Sequence, residues 1–301
     1  WHRYRFYGDE GVLRRNYESL RRYVEFWESE AVDDLLPDEH AGYGDWVALE
    51  NLDGRRGKPT DLFTNAYYYR SVDLLGRIAD ALGIDAHAGH YADRAEAIAD
   101  AFNERYFDGD AAAYEARTQA TYALPVFFGI APDDRAHAVV ANLAEKVRRS
   151  DGGKLRTGFL GTRPLLAVLS EYGYADLAYE VASDPEFPGW VYMRRQGATT
   201  VWERWDSDSD EHIGGRMNSL NHSPFVCISE WFYEHLAGID VRFGADAYDV
   251  EIAPSFVDGL SWAEGSVDTP LGRVESRWGE TGTGHELAVE GGDAGPVEPS
   301  G

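Results

Sequence analysis

Asp61-Leu-Phe-Thr-Asn-Ala-Tyr-Tyr-Tyr-Arg-Ser-Val-Asp-Leu-Leu-Gly-Arg-Ile-Ala-Asp-Ala-Leu82 is followed by Gly83 and, after a short break, by a second periodic run. Phe63, Ala66, Tyr67, Leu74, Leu75, Ile78 and Leu82 recur at helical spacing and make one apolar stripe. Thr64 or Asp61 can cap its entry, and Gly83 closes it. In the second run Tyr91, Ala95, Ile98, Ala99 and Phe102 share a face, with Asp and Arg opposite, until Asp108-Gly109 stops the pattern. Two amphipathic helices joined so closely fold back on one another as an antiparallel hairpin.

Working outward, residues 12 to 182 read as more of the same. Gln119 to Phe128 is a short, very apolar helix ended by Gly129, and Pro132 to Arg149 is amphipathic, with Pro132 suited to a first helical turn. Pro164 to Tyr172 and Tyr174 to Ala182 form another pair around Gly173. Apolar helices alternating with amphipathic ones suit two concentric helical layers. A helical solenoid predicts the same hairpins, but no repeat of fixed length is present. Ser183 to Leu220 breaks the helicity with Pro185, Pro188, Gly189, Gly197, Gly214 and Gly215, and is too long for an ordinary connector. A last helix spans Pro224 to Leu236. Beyond Gly238, Tyr248–Ala253, Gly272–Trp278 and Glu286–Val289 alternate with period two, as strands of a small β module. The expected division is a helical domain over 1–240, a small β-sandwich over 241–290, and a disordered Gly/Pro/Glu-rich tail over 291–301.

Charge and composition narrow the functional classes. The 301 residues carry 28 Lys plus Arg against 53 Asp plus Glu, a net charge of −25. A polyanion such as a nucleic acid meets a repulsive field there, so nucleic-acid binding is excluded. Lysine occurs only as Lys58, Lys146 and Lys154. Abundant carboxylates with almost no lysine suit solubility in molar salt, where the Debye length is about 3 Å. With 44% hydrophobic and 13% aromatic residues, the chain has material for a large core. The single Cys227 forbids an intrachain disulfide. No apolar run reaches the length of about 18 residues that a membrane span needs. His-Glu-x-x-His is absent, and the acidic run Asp206–Glu211 lacks the Gly and terminal Glu of a calcium loop, so no metal is expected. The start at Trp1 reads as a segment of a longer protein.

Chemistry concentrates in Gly197-Ala-Thr-Thr-Val-Trp202-Glu203-Arg204-Trp205-Asp206, inside the non-helical stretch. Sugars offer apolar C–H faces for tryptophan and hydroxyls for carboxylates and arginine. The same residues also fit a plain packing role, with Trp202 and Trp205 plugging the core and Glu203 paired to Arg204. Tyr43-Gly44-Asp45-Trp46 sets an acceptor beside an aromatic platform, and Met217-Asn218-Ser219-Leu220-Asn221-His222 carries amide and imidazole donors into the last helix. Each of these two alone is equally readable as a packed turn or a helix cap.

Together the three strings resemble the bacterial-type α-L-rhamnosidases, glycoside hydrolase family 78, and the likeness runs from residue 1 to about 285. The resemblance implies an (α/α)6 toroid followed by a small all-β domain, and an inverting hydrolase of terminal α-linked L-rhamnose. By that likeness Glu203 is the general base, His222 contacts the sugar, and Trp46 and Asp45 are a pocket aromatic and its neighbour. Trp202, Arg204, Trp205 and Asn218 join them in or behind the pocket wall. Inversion needs two carboxyls about 6.5–9.5 Å apart, and no cofactor. The family's general-acid motif, Asp-Glu-Arg…Gly-Trp, is not found in residues 1–301, and about eight or nine helices are legible where six hairpins need about twelve. Both gaps point to N-terminal truncation. Asp45, Asp206 and Glu230 are the candidates for a substitute acid, none with the expected context. The expected partner is a carbohydrate. The alternatives are a sugar-binding fragment without turnover, or another toroid exo-glycosidase such as an unsaturated glucuronyl hydrolase.

Overall fold

A computed structural model describes residues 1–51, 59–209, 218–244, 247–270, 272–282 and 284–291. The α-helices in it are α1 (His2–Tyr7), α2 (Glu10–Glu30), α3 (Thr60–Ala81), α4 (Asp85–Tyr106), α5 (Gln119–Phe128), α6 (Asp133–Glu145), α7 (Thr162–Glu171), α8 (Ala175–Ser183), α9 (Trp190–Arg195) and α10 (Cys227–Trp231). The strands are β1 (Phe107–Asp108), β2 (Ala113–Tyr114), β3 (Ile239–Gly244), β4 (Ala247–Ile252), β5 (Trp262–Thr269), β6 (Gly272–Thr281) and β7 (Gly284–Gly291). The chain is mainly helical and ends in a small all-β region. No helix among the described residues is long and apolar enough to cross a membrane.

The hairpin that decides the fold is present as α3 and α4. Leu62, Ala66, Val72, Ile98 and Phe102 are fully buried along their shared stripe. Asn65, also fully buried, ties the pair together: its Nδ2 donates to the Tyr106 hydroxyl oxygen at 3.1 Å and to the Leu36 carbonyl, while its Oδ1 accepts from the Leu36 N–H at 2.7 Å. An amide with both ends engaged is the condition under which such a group can be buried at little cost. α5 is apolar almost throughout, and Thr118 and Thr121 form a reciprocal capping box at its start.

By packing, the chain divides into two compact units, each drawn from separate stretches. One contains Trp1–Glu30, Tyr69–Ala97 and the residues from Glu230 onward; the other contains Ala31–Tyr68 and Ile98–Ser229. In the first, β3 and β4 form an antiparallel pair, and β5, β6 and β7 an antiparallel sheet in that order. Ile239, Val241, Ile252 and Val274 make a core with Ala237, joined by Phe6 of α1, Leu287 and Val289. Trp278, buried on β6, donates its indole N–H to the Leu236 carbonyl at 2.7 Å, fixing the sheet to the helix end that precedes it.

Several boundaries differ from expectation for local reasons. α1 and α2 begin the helical region at His2, ahead of residue 12. Where Asp108-Gly109 stops α4, the chain turns into the β1–β2 hairpin, in which Phe107 pairs with Tyr114. Pro132 lies outside α6 with extended ψ of 133°, and α6 gives way at Lys146 to a wider turn over Lys146–Ser150. The last helix is a composite of a 3-10 turn (Pro224–Val226), α10, and a wide turn over Phe232–Leu236. α9, β3 and β5 are additional. β5 turns Ala263, Gly265, Val267 and Thr269 to a half-buried face, with Val267 on the core and Gly265 close against Ala237, and pairs with β6 along its full length. The expected disordered tail lies, beyond Gly291, outside the described residues.

Burial lowers the His235 imidazole to about 4, against the opposing pull of Glu230 and Asp240. A depressed folded-state value means the neutral ring is favoured on folding. The stability it contributes is therefore full above about pH 6.5 and is lost as pH falls toward 4, by up to about 3 kcal/mol. Imidazole NMR titration is expected to show His235 neutral at pH 5, and urea unfolding of His235→Gln to show a shallower stability loss between pH 6.5 and 4.

Candidate active site

The polar centre of the second unit is Asp45, only 2% exposed. Its Oδ2 accepts from the Gly158 N–H at 2.8 Å, and its Oδ1 accepts from those of Leu160 and Gly161 at 2.8 and 3.0 Å. The loop Thr157-Gly-Phe-Leu-Gly-Thr162 is thereby wrapped around one carboxylate. Phe159 N–H donates to the Trp46 carbonyl and Leu49 N–H to the Arg156 carbonyl, so the 43–49 segment and this loop are joined along their backbones. Glycine is required twice here. A Cβ at Gly158 would run into the Trp46 carbonyl oxygen, and one at Gly161 would stand 2.8 Å from Asp45 Oδ2. Burial pushes the Asp45 carboxyl up to about 6, although the three N–H donors favour its charged form.

The same loop reaches the other two strings. Thr157 carbonyl accepts the indole N–H of Trp205 at 2.9 Å. Phe159 stacks on His222, with centroids 5.3 Å apart, and meets Phe225 edge-on. The 201–207 and 218–222 segments in turn pair with each other. Glu203 N–H donates to the Ser219 carbonyl at 2.9 Å, Ser219 N–H donates back to Glu203 Oε2 at 2.8 Å, and His222 N–H donates to the Val201 carbonyl. Asn218 Nδ2 donates to the Ser207 carbonyl at 2.9 Å, and the Thr200 hydroxyl to that of Leu220. The 43–49 segment and the two neighbouring strings about 150 residues later thus share one framework.

Each candidate residue takes a distinct place in it. Glu203 is buried, held through Oε2; among the described residues its Oε1 accepts no hydrogen bond. It does not pair with Arg204, whose Nε donates to Asp206 Oδ1 at 3.2 Å with both side chains buried. Trp205 is enclosed, stacked on Phe225 at 3.8 Å and meeting Trp190 edge-on at 5.2 Å. Trp202 is likewise buried. Trp46 and His222 are half-buried, and Tyr43, 80% exposed, packs edge-on against Trp46 at 5.5 Å. Among the candidate substitute acids, Asp45 is engaged by backbone N–H groups and Asp206 by Arg204, while Glu230 belongs to the other compact unit. The 157–162 loop and Ser219 carry roles that sequence reasoning did not assign. Two glycines set between threonines, just ahead of an apolar helix, were the available signal. Arg216 and Met217, and Asp210 and Glu211 of the acidic run, lie outside the described residues. No group of three or more potential metal-binding side chains occurs among the described residues.

Removing the Asp45 carboxylate leaves three backbone N–H groups without their acceptor, at about 1–3 kcal/mol each. Asp45→Ala is therefore expected to lower the unfolding free energy by about 3 kcal/mol or more in urea titrations. Because the folded-state value is raised, the ionised carboxyl is disfavoured by burial, and the stability linked to Asp45 falls as pH rises from about 4 to about 6. Carboxyl NMR titration of Asp45 is expected to show a midpoint near the upper end of that window.

Comparison with known proteins gives the family. Residues 1–236 match the bacterial alpha-L-rhamnosidase six-hairpin glycosidase domain, and residues 244–290 match the bacterial alpha-L-rhamnosidase C-terminal domain. An alpha-L-rhamnosidase from Alteromonas sp. (strain LOR) is 34% identical over 298 residues, covering 96% of this chain and 32% of that protein. One from Streptomyces avermitilis is 34% identical over 292 residues, covering 95% of this chain and 27% of that protein. The crystal structure of the Streptomyces avermitilis alpha-L-rhamnosidase complexed with L-rhamnose superposes with a TM-score of 0.84 at 32% identity, over 96% of this chain and 27% of that one. The alpha-L-rhamnosidase from Dictyoglumus thermophilum gives 0.83 at 31%, over 94% of this chain and 31% of that one. The chain thus spans about a third or less of the length of these relatives. With its helical hairpins, its closing sheet and these matches in register along nearly its whole length, the chain belongs to the bacterial α-L-rhamnosidase family of six-hairpin glycosidases.

Proposed function

We propose that these residues are the base-bearing portion of an inverting glycosidase that releases terminal α-L-rhamnose. The observation that carries this reading is the Glu203 carboxylate, buried and gripped at one oxygen by Ser219 N–H, with its other oxygen unengaged among the described residues. A carboxylate fixed in this way can take a proton from water as that water attacks the anomeric carbon. The bond from that carbon to the departing oxygen breaks on the opposite face, and a general acid protonates the leaving group. Water and rhamnoside become rhamnose and an alcohol, with no cofactor needed.

The other candidates divide by exposure. Trp46 and His222, half-buried, are assigned to rhamnose contact together with Asn218. Asp45, Trp202, Arg204 and Trp205 are assigned to support, because their side chains are spent on the loop, the core or each other. The general acid is assigned to chain outside residues 1–301 in a longer parent protein, since Asp45 and Asp206 are already engaged. On this reading residues 1–301 alone bind rhamnose in calorimetry without hydrolysing an aryl rhamnoside. Measurable turnover by this segment would place the acid within it and overturn that assignment. In the full-length parent, Glu203→Gln is expected to lower kcat on an aryl α-L-rhamnoside by about 10²–10⁴-fold. Wild-type turnover would remove Glu203 from the role of base.

We also infer a setting of molar salt. Two of the three lysines are structural: Lys146 Nζ bridges Glu50 at 2.7 Å and Asp151 at 3.1 Å, and Lys154 Nζ binds Asp184 at 2.6 Å. The net charge of −25 remains after every Lys and Arg has been counted, so screening by salt is the available relief. The melting temperature is expected to rise between 0.1 M and 3 M KCl; an unchanged value would contradict this.

A further inference from the structure

The half-buried Trp46 and His222, both assigned to the sugar, are joined through Phe159. Its backbone is fixed to the first and its ring lies on the second. Phe159 N–H donates to the Trp46 carbonyl at 3.0 Å, while the N–H groups on either side of it, of Gly158 and Leu160, donate to the Asp45 carboxylate at 2.8 Å each. Three successive donors thus bind two adjacent residues, which leaves the Phe159 backbone little freedom.

The Trp46 side of this joint is held under strain. Ala48 N–H donates to the Asp45 carbonyl at 3.2 Å, closing a turn with Trp46 and Val47 at its centre. Val47 has a left-handed φ of 57°, at the position where such a turn favours glycine. A β-branched residue resists that conformation, and the strain persists only where the surroundings fix it. The fixing group is the central carbonyl of the turn, that of Trp46, which accepts from Phe159 N–H and lies so close to Gly158 that a Cβ there would meet it at 2.0 Å.

On the ring side, the fully buried Phe225 meets Phe159 edge-on at 5.4 Å and is itself stacked on Trp205. Phe159 in turn stacks on the His222 imidazole, with centroids 5.3 Å apart and planes 28° from parallel. His222 gives its backbone N–H to the Val201 carbonyl at 2.9 Å, and among the described residues no hydrogen bond engages its ring nitrogens. An imidazole held by its face keeps both nitrogens, which lie in the ring plane, available at its edge.

We propose that Phe159 is a positioning residue for sugar binding. It holds the His222 imidazole by its face, leaving the ring nitrogens to rhamnose hydroxyls, and ties that ring to the Trp46 backbone so that the two sugar contacts keep one spacing. The inference rests on the proposed assignment of Trp46 and His222 to rhamnose contact. This role needs a flat face at position 159; apolar volume alone does not supply it.

A double-mutant cycle read as the rhamnose Kd, by calorimetry on the full-length protein, separates this role from plain packing. Phe159→Leu is expected to weaken binding by about tenfold, and Phe159→Tyr to keep it within about twofold of wild type. His222→Ala weakens binding as well. Because Phe159 acts through that ring, adding Phe159→Leu to His222→Ala is expected to weaken it by less than about twofold more. Phe159→Met, of similar volume but without a flat face, repeats the first arm should the leucine variant fail to fold. On an aryl α-L-rhamnoside, Phe159→Leu is expected to raise KM by a similar factor with kcat within about threefold of wild type. Losses that multiply in the double variant would overturn the proposal, and so would a tyrosine variant as weak as the leucine one. A wild-type protein that binds no rhamnose would overturn the functional reading and this inference with it. Wild-type binding that Phe159→Leu leaves unchanged would overturn this inference alone.

Discussion

One buried carboxylate organises the candidate site. Asp45 takes three backbone N–H groups from a loop that lies 113 residues further along the chain at Gly158, and that loop would otherwise bury unpaired donors. With the loop fixed, Thr157 presents its carbonyl to Trp205 and Phe159 its ring to His222. The glycines at 158 and 161 follow from the same constraint, because the loop must approach the Trp46 backbone and the carboxylate more closely than a side chain allows. Burial opposes the charge of Asp45 while the N–H donors favour it, so the site's framework is held by a group whose own ionisation is finely balanced.

From this framework the position of Glu203 follows. It sits in a bend whose neighbours are engaged: Trp205 packs between Phe225 and Trp190 and donates to the Thr157 carbonyl, and Arg204 is paired with Asp206. The reciprocal pairing of Glu203 and Ser219 aligns the catalytic candidate with the segment that ends at His222. A carboxylate held through one oxygen by a backbone donor keeps its orientation without needing another side chain's charge.

Much of this was legible in the sequence, and the limits have physical causes. The α3–α4 hairpin and α5 follow from apolar spacing, since a stripe that must be buried leaves a periodic trace in the residues. β5 left a weak trace, because its half-buried face is made of Ala263, Gly265, Val267 and Thr269, of which only Val267 is a large apolar residue. Glu203, Asp45 and Trp46 stood out by residue type and context. Their division into half-buried contacts and buried supports did not, because it depends on contacts between separate segments, 113 residues apart for Asp45 and Gly158. Asp45 illustrates the difference: beside Trp46 in sequence it reads as a sugar ligand, while in the fold its carboxylate is turned to the 158–161 backbone.

The central claim is that Glu203 delivers the attacking water from the face opposite the leaving group. It is tested most directly by deleting the side chain in the full-length protein and supplying a small anionic nucleophile in its place. With Glu203→Ala and an aryl α-L-rhamnoside bearing a good leaving group, azide is expected to restore consumption of the substrate and to yield β-L-rhamnosyl azide, the inverted product. Wild-type release of free rhamnose by Glu203→Ala without azide, or an azide product of retained configuration, would contradict the account.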